Sequence, residues 1–292
     1  MSDAKQSPLV LLVACYPIVG AVVAERLRAR VSYAAAWRAT VTRKALLRLA
    51  AGAVGAQVFF AAFMAWKAHL PAWGHWWADP LLADLDARLH GGDAWRLFTP
   101  FGEPGLRLLD FVYHLWLPGL ALMIGWRAWA GDVRFFTAFT IAWIAMGTGI
   151  ALLLHSAGPV FYEQVTGLPR YAPLLARLDS LPLQTNAGRH ILWAVYASDQ
   201  PSSISAFPSL HVAMPTLYAL CCPIAWLRRL LWVFMTLVAA GTVALGWHYA
   251  VDAYAGILGA VACWWIAGRV VGGSTGSAVP DRAAGAKAPV IA

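Results

Sequence analysis

Residues 230–252, LLWVFMTLVAAGTVALGWHYAVD, decide how this chain has to fold. Residues 230–247 are mainly apolar, and a second apolar stretch runs from 249 to 271. Segments of about 20 mainly apolar residues are what a bilayer core requires of a helix, so the pattern predicts two transmembrane helices joined by a tight break at Gly246. His248 and Asp252 lie at this junction, where titratable groups are costly to bury.

The rest of the chain has the same character. Of its 292 residues 60% are hydrophobic and only 12% are charged, whereas a soluble domain is roughly 45–50% apolar. We therefore predict an all-α, polytopic membrane bundle with about seven transmembrane helices. The predicted segments are 8–24, 45–66, 108–130, 134–157, 209–227, 230–247 and 249–271. They form a single membrane domain over residues 1–271, and residues 272–292 have the composition of a disordered cytoplasmic tail.

Charge predicts the orientation of this bundle. Lys and Arg collect in cytoplasmic loops, and 14 of the 22 fall in residues 25–48, 125–134, 227–230 and the segment from 268 onward. This places the N-terminus outside and the C-terminus inside a multi-pass cell membrane protein. Because orientation accounts for the basic residues, the isoelectric point near 9.6 does not indicate a nucleic-acid partner.

Two long segments are predicted on the outer side. Residues 67–107 contain several Trp, typical of the membrane surface, and PLLADLDARL (80–89), which we interpret as a short interfacial helix that acts as a spacer. The second segment, 158–206, begins within HSAGPVFY (155–162) and leads directly into FPSLH (207–211). A loop of this length is more often functional than decorative.

The chemistry concentrates at three predicted helix ends. Pro208 and Ser209 favour a helix start, which places His211 in the first turn of the fifth helix, at the outer surface. His248 and Asp252 are four residues apart, so we expect them on one face of the seventh helix. The carboxylate can accept the Nδ1 proton of the imidazole and leave Nε2 as a base or nucleophile. Helix N-termini also favour anions, so the site suits a phosphate on the extracytoplasmic face.

For other titratable groups we favour interfacial or packing roles. We interpret four further histidines as interfacial side chains: His69, His75, His90 and His190. Four residues could line the same outer cavity or could equally well serve packing: Asp110, His114, His155 and Tyr162. The four cysteines lie in apolar segments and have no metal or disulfide spacing. The sequence indicates no cofactor, no metal site and no protein partner; the expected partners are the membrane and its lipids.

FPSLH followed by HYAVD resembles two signature blocks of the type 2 phosphatidic acid phosphatase superfamily. The Leu in PSLH and the ending HYAVDAYAG are more similar to the inositol phosphorylceramide synthase branch, and SAGPVFY resembles its upstream element more weakly. The resemblance covers residues 134–271, the predicted catalytic core. It implies that His248 forms a phosphohistidine, that Asp252 orients it, that His211 protonates the leaving oxygen, and that Ser209 donates to a phosphate oxygen.

The chain also departs from the phosphatase pattern. Lipid phosphatases carry a Lys and an Arg in their first block and another Arg where this chain has Thr242. A phosphomonoester carries nearly two negative charges and a phosphodiester one, so fewer cations suit a diester. The prediction is an inositolphosphotransferase-like enzyme that transfers a phospho-headgroup between lipids. Three arginines of the long loop could restore the missing charge: Arg170, Arg177 and Arg189.

Four alternatives stay open from the sequence. A lipid phosphomonoester phosphatase would use the same residues. A transporter could use His248 and Asp252 as a proton relay. His211, His248 and Asp252 could together bind zinc or a haem, and Ser209 could act as a protease nucleophile.

Overall fold

The structure, a computed structural model, describes the backbone of residues 7–69, 75–198 and 204–275. Side chains are described for residues 16–69, 75–198 and 204–272. Within these ranges the fold is all-helical and contains no strand, as predicted.

Thirteen helices are numbered here in chain order. They are α1 (Ser7–Ala29), α2 (Tyr33–Thr40), α3 (Arg43–Lys67), α4 (Ala78–His90), α5 (Gly102–His114), α6 (Trp116–Ala130), α7 (Val133–Ile141), α8 (Tyr162–Thr166), α9 (Ala172–Asp179), α10 (Gln184–Ala197), α11 (Leu210–Cys221), α12 (Ala225–Ala244) and α13 (Ala250–Thr275). A 3-10 segment, Ala94–Phe101, precedes α5, and another, Pro159–Phe161, precedes α8. Helix α7 continues through a π-helical stretch, Ala142–Ile150, as far as Leu153.

Local sequence explains several helix boundaries. Helices α4 and α6 end at Gly91 and Gly131, both with a φ of 69°, a conformation that glycine adopts without steric cost. Helix α7 begins after Asp132, whose carboxylate accepts the backbone N–H of Phe135 at 3.0 Å. The caps at Gly131 and Asp132 form the tight turn between α6 and α7.

Five helical segments of the described residues are long and apolar enough to cross a bilayer. They are Arg43–Lys67, Ala94–Ala130, Val133–Leu153, Ala225–Ala244 and Ala250–Gly272. The chain thus has the character of a membrane protein, and the predicted count of seven is not confirmed by the described residues. Helix α1 includes the predicted segment 8–24, but the side chains of residues 7–15 lie outside the described part. The predicted orientation of the termini stays a prediction.

The largest difference from the predicted segments concerns 209–227. Helix α11 covers only Leu210–Cys221, 12 residues or about 18 Å at 1.5 Å per residue, which is short for a span. It stops because the residue before a proline disfavours helical geometry, and Cys222, before Pro223, has φ −75° and ψ 117°. Nearly all its side chains are buried. Helix α11 is therefore the centre of the bundle.

Two other boundaries differ from the sequence-based expectation. The third predicted segment, 108–130, begins earlier, because the helical run starts at residue 94. The predicted disordered tail, 272–292, is helical as far as Thr275, and residues 276–292 lie outside the described part.

An aromatic cluster fixes α3 against α7. The ring of Phe63 lies 4.7 Å from that of Trp143, and Phe60 lies 4.9 Å from the same ring, both edge to face. Gly147 then allows α7 to approach α11, because a Cβ there would lie 2.7 Å from Leu210 Cδ1. This packing brings the C-terminal end of α3 close to the N-terminus of α11.

Candidate active site

His211, His248 and Asp252 form one continuous hydrogen-bonded string. His211 Nδ1 lies 3.1 Å from His248 Nε2, and His248 Nδ1 lies 3.3 Å from Asp252 Oδ2. Asp252 is fully buried, His248 is 3% exposed, and His211 is partly exposed. Three side chains from two distant sequence motifs therefore meet, and only His211 retains access to the surroundings.

The hydrogen bonds determine where the protons lie. Asp252 Oδ2 also accepts the backbone N–H of Tyr249 at 3.1 Å, so this oxygen is an acceptor and His248 Nδ1 must donate to it. In a neutral imidazole the other nitrogen then carries a lone pair. His248 Nε2 therefore accepts the Nδ1 proton of His211. The string leaves a potential nucleophile at Nε2 with a proton donor directly beside it.

The position of His248 differs from the sequence-based expectation. We expected His248 and Asp252 on one face of a helix, but α13 begins at Ala250 and His248 precedes it. Gly246, with a φ of +72°, turns the chain after α12, and the backbone N–H of His248 donates to the carbonyl of Thr242 at 3.1 Å. The turn keeps the imidazole within reach of the first turn of α13.

Ser209 is the N-cap of α11. Its Oγ accepts the backbone N–H of Val212 at 3.3 Å, and its own N–H donates to the carbonyl of Asp252 at 3.1 Å. The second bond fastens the start of α11 to the start of α13. Because Oγ acts as an acceptor in the cap, its hydroxyl proton is available for an anion at this helix end.

The loop after α7 joins the two motifs. The carbonyl of Ser156 accepts the backbone N–H of Ala206 at 2.8 Å. Its Oγ accepts the backbone N–H of Phe207 at 3.0 Å. Gly158 lies so close to the second motif that a Cβ there would be 2.6 Å from the carbonyl oxygen of Trp247. Residues 156–158, within the SAGPVFY element, thus hold the chain entering α11 against the chain entering α13.

Two buried acids on α4 extend this framework, and sequence reasoning missed both. Asp79 accepts from the backbone of Ala157 and Gly158 and from the hydroxyl of Tyr249, while Asp86 accepts from the backbone N–H of Val251 at 3.2 Å. Helix α4 is therefore a structural support of the site and not only an interfacial spacer. The sequence does contain a signal for this supporting role, because the two acids are two helical turns apart, on the same face as the buried Leu82.

Four residues considered as possible cavity-lining groups serve other contacts. Asp110 accepts the backbone N–H groups of Gln184 and Thr185 at the start of α10, at 2.7 and 3.1 Å. His114 donates its Nδ1 proton to the carbonyl of Asp110 at 2.7 Å. His155 stacks on Trp76 and is fully buried. Tyr162 packs against Tyr171.

The remaining histidines are exposed or make a different contact. His69, His75 and His190 are exposed, which fits an interfacial position. His90 is partly buried, and its Nε2 forms a hydrogen bond of 2.8 Å with the hydroxyl of Tyr254.

The three arginines of the long loop are engaged elsewhere. Arg170 donates to Asp84 at 2.7 Å and to Asp93 at 2.9 Å, and Arg189 pairs with Asp179. Arg177 donates to the backbone carbonyls of residues 98 and 99. Thr242, at the position where phosphatases carry an arginine, is buried and donates to the carbonyl of residue 239. None of these four supplies a cation to the string.

Lys67, at the end of α3, is a basic residue close to His211. Its charge acts on His211. Its Nζ lies 5.6 Å from the ring centroid of Phe63. Within the described part of the chain Lys67 forms no ion pair with a carboxylate. No sequence signal identifies it, because α3 approaches α11 only through the aromatic packing described above.

Aromatic rings surround the exposed side of His211. The ring centroid of Trp116 lies 4.5 Å from that of His211 in an edge-to-face arrangement, and that of Tyr113 lies 5.3 Å away. Tyr113 also stacks on Trp247 at 6.2 Å. In the part of the chain that the structure describes, no three His, Cys, Asp or Glu side chains are arranged to hold a metal ion.

Comparison with known proteins identifies the family of the chain. No curated protein and no solved structure matches the chain significantly. The family model of the PAP2 superfamily matches residues 81–266, a range that begins within α4 and includes every residue of the string. Since this match covers more than half of the chain, the protein belongs to the PAP2 superfamily, whose members are generally phosphatases or phosphotransferases.

Proposed function

We propose that the protein is a membrane-embedded lipid phosphotransferase, which moves a phospho-headgroup from a lipid phosphodiester to an acceptor hydroxyl through a phosphohistidine on His248. The observation that carries the proposal is the string His211–His248–Asp252, with a lone pair on His248 Nε2 and a proton donor 3.1 Å away. The inositol phosphorylceramide synthase branch is the relative whose motifs this chain resembles, and a headgroup of that kind is part of the proposal.

In the first half-reaction the donor phosphate displaces the contact between the two imidazoles. The anion favours a second proton on His211, which becomes imidazolium. His248 Nε2 then attacks phosphorus, a P–N bond forms, and the P–O bond to the donor's lipid alcohol breaks. His211 gives its proton to the leaving oxygen. Asp252 stabilises the positive charge on the His248 ring through Nδ1.

In the second half-reaction the acceptor occupies the place of the leaving alcohol. The neutral His211 takes the proton from its hydroxyl, and the resulting alkoxide attacks phosphorus. The P–N bond breaks and His248 returns to its neutral form. Water in place of the acceptor would give hydrolysis, so the partly exposed position of His211 and the aromatic rings around it decide how far the reaction goes to transfer.

The charges near the string favour a diester donor. Lys67 is a cation that acts on His211, whereas Arg170 and Arg189 are paired with carboxylates. One lysine balances the single charge of a phosphodiester, and a phosphomonoester would leave nearly one further negative charge in apolar surroundings. This comparison supports transfer between lipids over monoester hydrolysis.

Lys67→Gln is expected to weaken donor binding. Loss of the charge should raise KM for an anionic phosphodiester by about tenfold to a hundredfold, as expected for a hydrogen bond to a charged group, and change kcat less. Lys67→Arg should retain most of the affinity. Lys44→Gln, on the same helix but exposed at its other end, is the matched control. An unchanged KM in Lys67→Gln would remove Lys67 from the phosphate site.

The function is tested with purified full-length protein in nanodiscs that contain a phospholipid labelled with ³²P in its phosphate. A new labelled lipid that forms only when an acceptor lipid is added supports the transferase. Release of labelled inorganic phosphate from a phosphatidate, with no labelled lipid product, would instead assign a phosphatase.

Two further arms separate the other classes. Activity that survives a chelator supports the phosphohistidine route, whereas loss in chelator and recovery with zinc would overturn it. If the wild-type protein makes no labelled product but moves a solute across proteoliposomes, and His248→Ala does so at the same rate, the enzyme proposal fails.

A further inference from the structure

Asp79, on α4, is a buried carboxylate that the proposed reaction does not use. Asp79 is fully buried. It accepts a hydrogen bond from Tyr249, the residue directly after His248, which lies 170 positions further along the chain. Its Oδ2 accepts the backbone N–H of Ala157 at 2.7 Å, and its Oδ1 accepts the N–H of Gly158 at 2.9 Å and the hydroxyl of Tyr249 at 2.7 Å. One carboxylate therefore joins three segments of the chain.

These contacts converge on the catalytic string. Tyr249 directly follows His248, and its backbone N–H donates to the same Asp252 oxygen that accepts from His248. Gly158 lies against the carbonyl of Trp247, the residue directly before His248. His248 is thus held on both sides by residues that contact Asp79 or its loop, while its own ring touches neither.

We propose that Asp79 is a positioning residue: its ionised carboxylate fastens residues 157–158 to Tyr249 and thereby holds the His248 ring at hydrogen-bonding distance from Asp252. This proposal rests on the proposed function of His248 as the nucleophile. The bond between Asp79 and Tyr249 contributes most directly, because it fixes the residue that shares Asp252 with His248.

The protonation state of Asp79 decides whether this support is complete. All three of its partners donate to the carboxylate, so a proton on the carboxyl group would either remove one of these contacts or force the Tyr249 hydroxyl to change from donor to acceptor. Burial raises the pKa of Asp79 to about 6, against the lowering effect of the hydrogen bonds from Ala157, Tyr249 and Gly158. The titratable groups that face it are Tyr249 and Asp252, and the charge of Asp252 raises the pKa further. His155 belongs to the same loop, and its carbonyl accepts from Ala78.

The sign of the effect on folding is opposite to that on activity. Because the folded-state pKa is raised from 3.8 to about 6, ionisation of Asp79 reduces folding stability as pH rises through that window. Asp79 accepts from all three donors in its ionised form, which is the main form above that window.

Kinetics test the proposal with two variants of different severity. Tyr249→Phe removes one hydroxyl and leaves the Asp79 bonds to the loop, and we expect kcat to fall about tenfold with KM for the donor unchanged; Asp79→Asn should lower kcat about a hundredfold. Because Tyr249→Phe removes one of the contacts that Asp79→Asn weakens, the double variant should be about as slow as Asp79→Asn alone. In Asp79→Asn the decline of kcat below about pH 6 should depend on one proton fewer than in the wild type. An additive double variant with an unchanged acid limb would overturn the proposal.

The matched control is Asp84→Asn. Asp84 lies on the same helix, is 59% exposed and pairs with Arg170, so its loss should change kcat less than twofold. A merely structural role of Asp79 would lower Tm but leave kcat per folded molecule unchanged. That outcome would also overturn the proposal.

A spectroscopic readout separates this inference from the proposed function. In protein labelled with ¹⁵N-histidine, Tyr249→Phe and Asp79→Asn should shift the Nδ1 and Nε2 signals of His248 at pH 7.5. The signals of His190, whose side chain is 70% exposed, should not move. Unchanged His248 signals would refute the positioning role. If the wild-type protein transfers no phosphate but the two variants still shift the His248 signals, the proposed function is refuted and the positioning role stands.

Discussion

His248→Gln is expected to abolish transfer, with a fall of about 10⁴-fold or more, as when a covalent nucleophile is removed from an enzyme. Glutamine preserves polarity and approximate size but cannot present a basic nitrogen where His248 Nε2 faces His211 at 3.1 Å. The measurement is the initial rate of labelled lipid formation from a ³²P-labelled donor in nanodiscs. It is combined with trapping of acid-labile, base-stable label on the denatured protein.

The control for this variant is His190→Gln, because His190 is exposed and contacts Asp179 and Arg189. It should transfer and become labelled like the wild type. Label that persists on His248→Gln would contradict the proposed nucleophile. If that label mapped to His211, the roles of the two histidines would be reversed.

Asp252→Asn is expected to lower kcat by about 10³- to 10⁴-fold, comparable to the loss of an orienting carboxylate in a catalytic triad. Asp252 Oδ2 accepts from both His248 Nδ1 and Tyr249 N, at 3.3 and 3.1 Å. An asparagine that donates its amide protons to Nδ1 would place the imidazole proton on Nε2, where the lone pair is required. Single-turnover experiments should show slow labelling of His248, with the donor's Kd nearly unchanged.

Asp84→Asn again serves as the control for charge loss, because its carboxylate is half exposed and pairs only with Arg170. A second check is chemical: a donor with a highly acidic leaving alcohol should not rescue Asp252→Asn, since the defect lies in the nucleophile and not in the leaving group. Full rescue by such a donor would indicate that Asp252 assists proton donation to the leaving group and not the nucleophile.

Much of the site could be predicted from sequence because its parts are local. The cap at Ser209 follows from a serine before an apolar run, and the break at Gly246 follows from a glycine between two such runs. The pairing of His248 with Asp252 was predicted from their spacing of four. The pair forms although His248 precedes the helix, because the turn after Gly246 compensates for the missing helical residues.

Composition and spacing alone establish that this chain is an all-helical membrane protein and where its histidines and aspartate stand relative to helix ends. The membrane character and the helix ends depend on the transfer of side chains from water and on hydrogen bonds between near neighbours. Consecutive residues determine both of these effects. Only the packed bundle decides that Arg170 is paired with Asp84 and Asp93, that the charge of Lys67 acts on His211, and that Asp79 contacts Tyr249. Those contacts join residues tens to more than a hundred positions apart, and their partners are chosen by how α3, α4 and α11 fit together, which no local pattern encodes.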